Sequence, residues 1–211
     1  MTVVIVAVGV VLVVVILVGA SYNRFVRQRN LIDNSWSNID TELKRRYDLI
    51  PNLVETVKGY ASHEAGVFEA VTAARTQAMA DSGSPEQQAR SENNLVGNLK
   101  SLLAVSEAYP DLKASTSFLE LQQQLVDTED RIQAARRFYN NNVRDYNERV
   151  QSVPTDILAG ITGFHAREYF EVDEAVVSAV PQANLAPPAD AAGATGGSGV
   201  DAAEPDGPGS T

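Results

Sequence analysis

Residues 3–20, VVIVAVGVVLVVVILVGA, hold no charged or strongly polar side chain. As a helix this run measures about 27 Å, slightly short of a ~30 Å hydrocarbon core, and Ser21 and Tyr22 extend it. A spanning helix is the reading that fits. A cleaved signal peptide is the competitor, with Val18-Gly19-Ala20 as its small-residue site. A signal peptide opens on basic residues, whereas here only Met1-Thr2 precede the apolar core. Tyr22 suits the interfacial belt, and Arg24, Arg27 and Arg29 follow it as flanking cations. With those bases behind the span and none before it, the positive-inside rule places the carboxyl-terminal bulk in the cytoplasm. The reverse, envelope-facing topology is the alternative. The lipid bilayer is thus the first expected partner. Gly9 and Gly19 form no GxxxG pair, so a homo-oligomer through the span is left open.

Residues 22–175 read as one helical domain. Trp36, Ile39, Leu43, Tyr47, Ile50, Leu53, Val54, Val57 and Tyr60 recur in steps of three and four, and Val67, Phe68, Val71, Ala74 and Met79 continue the stripe. Pro51 interrupts it and predicts a kink or a restart, with Asp48 placed to accept from the new amino end. Ser84-Pro85-x-Gln87 reads as a helix start after a turn, followed by Leu95, Leu99, Leu102, Leu103 and Ser106 up to Pro110. Ser117 and Glu120 form a second capping box. It opens the longest helix, with Phe118, Leu121, Leu125, Thr128, Ile132, Ala135, Tyr139, Val143, Tyr146 and Val150 on its stripe. Two consecutive steps of four at 135–139–143 favour a globular bundle over an extended coiled coil. The fold class is therefore all-α: a transmembrane anchor at 1–21, an antiparallel four-helix-type bundle at 22–175, and a tail. After Pro154 the apolar residues fit a short helix packed back on the bundle. Residues 176–211, acidic and rich in Ala, Gly and Pro, read as a disordered tail.

The formal charge of −10 disfavours nucleic acid as a partner. Lys44, Arg45 and Arg46 form the one basic cluster of the kind a phosphate binder needs, but Asp40, Glu42 and Asp48 stand beside them, so a solvated mixed face is expected. Cysteine is absent, which removes thiolate chemistry and disulfides. His63-Glu64 resembles the start of a zinc-protease motif, but position 67 is Val where the second His is needed. Glu129-Asp130 and Asp173-Glu174 are adjacent in sequence and point apart on a helix. No catalytic, metal or cofactor residue is assigned, and no enzyme activity is expected; a metal-dependent sensor or enzyme using His63 and Glu64 is the alternative. The sharper polar pattern is RRFYNNNVRDYNERV, where Arg136, Arg137, Asn140, Asn141, Arg144 and Asn147 form a candidate face for an unknown protein partner. Asn is a mediocre helix former, so propensity does not explain its repetition.

The span followed by YNRFVRQRNLIDNSWSNIDTELKRRYDLIPNLVETVKGYASHE, then SEAYPDLKAS, then LVDTEDRIQAARRFYNNNVRDYN, resembles the LemA family of bacterial membrane proteins over about residues 22–170. The resemblance implies a helical bundle of four-helix topology on one amino-terminal anchor, and it favours a break at Pro51. It implies no activity, cofactor or catalytic residue. Certain relatives are tied to specialised bacterial membrane compartments, which hints at scaffolding.

Overall fold

The computed structural model describes residues 1–81 and 83–172. The tail at 176–211, the last residues of the expected bundle and the Asp173-Glu174 pair lie outside the described residues. Helix α1 runs without interruption from Thr2 to Lys58, 57 residues or about 86 Å. Its first third is apolar and entirely exposed, and its remainder is the first helix of the bundle. After a turn at 59–64 come α2 (Ala65–Ala80) and α3 (Pro85–Val105), then a 3₁₀ turn and the one-turn α4 (Pro110–Lys113). Helix α5 (Thr116–Gln151) returns along α1, and α6 (Thr155–Thr162) closes the helical part. The described residues contain no strand.

Helices α1 and α5 pair as one hairpin, α2 and α3 as another, and the two share a core. Phe25 meets Tyr146, Trp36 meets Tyr139 and Arg46 meets Glu129, so α1 and α5 are antiparallel along their shared length. From Ile32 on, the buried residues of α1 (Ile32, Ser35, Ile39, Leu43, Arg46, Tyr47, Ile50, Leu53 and Val57) keep the three-four spacing the sequence predicts. Trp36 and Val54 are only partly buried, and Tyr60, past the end of α1, is exposed. The α3 stripe is buried as expected through Ser106. On α2 the stripe ends on Ala78 instead, leaving Met79 half exposed. Ser84 caps α3 by accepting from the Gln87 amide, at 3.3 Å, while the Gln87 side chain turns to Asp81. The second capping box does not form: α5 starts two residues earlier than Ser117 predicts, with Ser115 at the cap position.

Pro51 neither ends nor restarts the helix, so Asp48 caps nothing and stays exposed. A proline at 51 cannot donate to the carbonyl of Tyr47, one turn back. That vacant acceptor is taken from outside the helix: Arg75 of α2 donates its Nε–H to the Tyr47 carbonyl at 2.7 Å. The missing intrahelical bond thereby becomes a contact between α1 and α2, and the chain break falls at Gly59–Glu64 instead. A double-mutant cycle tests this. Arg75→Met is expected to lower stability by about 1.5–3 kcal/mol, the range for a hydrogen bond from a charged donor. In a Pro51→Ala background the cost shrinks, because the new amide at 51 satisfies Tyr47 from within α1. Thermal unfolding of the four proteins reads the coupling.

Candidate functional site

Two polar constellations are built into the bundle. The first joins the hairpins. Arg46 is buried on α1, and its guanidinium bridges two carboxylates, Glu92 of α3, fully buried, and Glu129 of α5 at 2.8 Å. The Glu92 carboxylate also accepts from the Tyr47 hydroxyl and from Gln88 Nε2 at 3.0 Å. Gln88 additionally donates to the Ala78 carbonyl at 3.1 Å, tying the end of α2 into the network. Burial first, and then the adjacent Glu92, push the Tyr47 phenol far above its ordinary range, against a smaller opposite pull from Arg46, so Tyr47 stays a donor.

Arg46 thus departs from the solvated face expected for the basic cluster; only its neighbours fit, Lys44 pairing with Asp40 and Arg45 with Glu42 at the surface. The physical reason is register, since position 46 follows Leu43 by three and precedes Ile50 by four, squarely on the buried stripe.

The second constellation lies along α5. Beyond α6, residues 164–172 run extended and opposite to α5. The Asn147 side chain accepts from the Arg167 amide at 2.8 Å and donates to the Arg167 carbonyl at 2.9 Å. Asn140 does the same with Phe170, at 2.9 and 3.1 Å. The match is metrical. Seven helical residues rise about 10.5 Å and three extended residues span roughly 10 Å, so amides two turns apart meet every third residue of a strap. Each carboxamide offers one donor and one acceptor, which suits a peptide unit presenting both.

Beside these pairs Tyr139 donates to the Glu168 carbonyl at 2.9 Å, and beyond them Arg136 donates to the Val172 carbonyl at 2.7 Å. Burial pushes the Tyr139 phenol up to about 12, with Arg167 opposing and Glu168 and Asp33 adding to the rise. Phe170 inserts edge-on against Trp36, with ring centroids 5.4 Å apart, and Arg167 pairs with Asp33 of α1 at 2.6 Å.

Of the six residues of the candidate partner face, Arg136, Asn140 and Asn147 therefore hold the chain's own strap. Arg137, Asn141 and Arg144 remain exposed beside it. An open depression of about 470 Å³ lies between them, lined by Arg136, Arg137, Asn140, Asn141 and the strap residues Phe170, Glu171 and Val172. The seven-residue spacing of Asn140 and Asn147 was the signal for the strap in the sequence. Tyr22, Arg24, Arg27 and Arg29 lie on α1 directly behind the exposed apolar run, all with exposed side chains. His63 and His165 are exposed, and Glu64 stands at the start of α2; among the described residues no three His, Asp or Glu side chains converge in a way that would hold a metal ion.

Two outcomes are expected. Arg46→Met strands two facing carboxylates and costs about 3–5 kcal/mol in thermal unfolding, whereas Arg46→Met with Glu92→Met and Glu129→Leu recovers most of that loss. Asn140→Ala with Asn147→Ala removes four hydrogen bonds to the strap. Tryptic cleavage after Arg167 in the folded protein then accelerates on the order of tenfold or more, from about 1 kcal/mol per lost pair.

Three named proteins are similar to this chain. Magnetosome protein MamQ of Magnetospirillum gryphiswaldense is 26% identical over 174 residues, covering 71% of this chain and 64% of that protein. Magnetosome protein MamQ 2 of Paramagnetospirillum magneticum is 29% identical over 175 residues with the same coverage. Protein LemA of Metamycoplasma hominis is 28% identical over 160 residues, covering 72% of each. The chain spans 64% of the length of the two magnetosome proteins, and none of the three names states a reaction. A family profile described as the LemA family matches residues 35–184, from the middle of α1 through the strap, and this chain belongs to that family.

Proposed function

We propose that this protein is a membrane-anchored helical scaffold, without enzymatic activity, that holds an interaction surface at a set height above the cytoplasmic face of a bacterial inner membrane. One observation carries the reading: the exposed apolar run and the first bundle helix are the same 57-residue helix. An anchor on a flexible linker leaves its domain free to tumble, whereas this one passes its orientation directly to the bundle. Relatives named for the magnetosome, a structure rather than a reaction, agree with a scaffold. The arginines at 24, 27 and 29 favour the cytoplasmic orientation. The exposed Arg137, Asn141 and Arg144 beside the strap form the partner-binding face, a mixed polar surface on which Arg144 stands near Asp145 at 3.6 Å and Glu148 at 3.9 Å.

The test uses the full chain in its native membrane. Carbonate washing is expected to leave it in the pellet, and a carboxyl-terminal alkaline phosphatase fusion is expected to be inactive. A photo-crosslinking residue at Arg137 or Asn141 is expected to capture a discrete protein adduct that Arg144→Glu weakens. Release by carbonate removes the anchor, an active fusion reverses the topology, and absence of adducts at both positions removes the partner face.

A further inference from the structure

Beyond Tyr22, the three most exposed large apolar side chains among the described residues are Val153, at 80%, Ile161, at 79%, and Ile157, at 63%. All three belong to the α5–α6 turn and to α6 itself. Ile157 and Ile161 are four residues apart and so share one face of α6, while Ala159 on the opposite face is buried. The other exposed apolar residues of the bundle, such as Met79 and Phe138, lie elsewhere on the surface, singly and less exposed.

The position of this patch decides what covers it. In the antiparallel register of α1 and α5, Phe25 meets Tyr146, so the end of α5 at Gln151 reaches the level of Ser21 and Tyr22. Beyond α6, Gly163 takes a left-handed conformation, with φ of 73°, and the Phe164 amide bonds back to the Ala159 carbonyl. That turn sends Phe164 inward, stacked on Phe25 at 5.0 Å and tilted against Tyr22 at 5.6 Å. Helix α6 is therefore fastened beside the last turn of the apolar run, with its apolar face pointing away from the bundle.

Cations stand at the same level. Arg149 has a buried Nε without a hydrogen-bond partner, and its charge is disfavoured first by burial and then by Arg24, with Asp145 opposing. Arg27 is exposed nearby on α1; Asp145, Glu148 and Asp156 are the acids of this end, with Glu148 facing Arg144 at 3.9 Å.

We propose that α6 is a second membrane contact, a short helix lying in the lipid interface beside the entry point of α1, with Val153, Ile157 and Ile161 set among the acyl chains. Arg24 and Arg149 then face the phosphate layer. Three apolar side chains are too few to hold a free helix on a bilayer. Here the span has already delivered α6 to the surface, so its insertion is intramolecular and needs little affinity. The proposal rests on the anchor reading of α1, and the experiment separates the two.

The chain has no cysteine, so single cysteines can be introduced into the full-length protein and labelled with an environment-sensitive fluorophore. Val11→Cys reports the span, Ile161→Cys and, separately, Val153→Cys report α6, and Gln124→Cys reports the far part of α5. In phosphatidylethanolamine–phosphatidylglycerol vesicles, emission at 161 and 153 is expected to be blue-shifted. A spin label near the lipid carbonyls should quench it more than one deep in the acyl chains, with Val11 showing the opposite order and Gln124 no quenching. Quenching at Val11 with none at 161 and 153 overturns the proposal and leaves the anchor standing. A blue shift at 161 without lipid quenching means that protein covers the face, which also overturns it. Absence of quenching at Val11 removes the anchor reading and this one together.

Discussion

The bundle is organised around one buried guanidinium. Arg46 stands where the α1–α5 hairpin meets the α2–α3 hairpin, and it is joined to a carboxylate from each of the two helices facing it. Apolar stripes alone would let the hairpins slide past each other by a turn at modest cost, because Leu, Ile and Val are forgiving partners. An ion centre is not forgiving. A slip of one turn leaves Glu92 without its cation inside the core, and the resulting penalty exceeds what repacked side chains could return. Tyr47 and Gln88 complete the shell around Glu92, so the register of α1, α3 and the end of α2 is set at a single level.

The same economy of acceptors appears twice more. Pro51 leaves the Tyr47 carbonyl free, and Arg75 takes it, so a local defect in one helix becomes a tie to the next. Asn140 and Asn147 supply side-chain amides where an extended strap has no neighbouring strand to pair with. In both of these a backbone group that regular structure would have satisfied is satisfied by a polar side chain from another element. Of the three ties, the first two meet at one level of α1, at Arg46 and Tyr47, and the third lies along the other half of α5.

Most of the architecture was legible in the sequence, because helical period is a strong local signal. The long apolar helical start, the stripes of α1, α3 and α5, the Ser84 start and the short α6 follow from spacing and capping chemistry. What was not legible depends on partners distant in the chain. Arg46 sits on the stripe, but burial of a charge is credible only once Glu92 and Glu129 are known to arrive there, 46 and 83 residues later. Pro51 reads as a kink or a restart because the sequence does not reveal that Arg75 replaces the lost donor. Ser117-x-x-Glu120 has the composition of a cap, yet Ser115, two residues earlier, occupies the position. The asparagines of α5 were visible as an anomaly, and a face for a partner was a reasonable reading; half of them instead bind a peptide that happens to belong to the same chain.

The unbroken length of α1 has a mechanical consequence. From Tyr22 to Lys58 the helix extends about 55 Å beyond the apolar run with no joint along it. Spanning helices tilt by roughly 20° on average, more where the bilayer is thin. On a lever of that length, such a tilt carries the turn at Gly59 sideways by about 19 Å, from the same helix rise. With the apolar run in a bilayer, as proposed, a change in thickness of a few ångströms at the short arm would be magnified at the tip of the long arm, and the bundle would act as the pointer of a gauge whose pivot is the membrane surface.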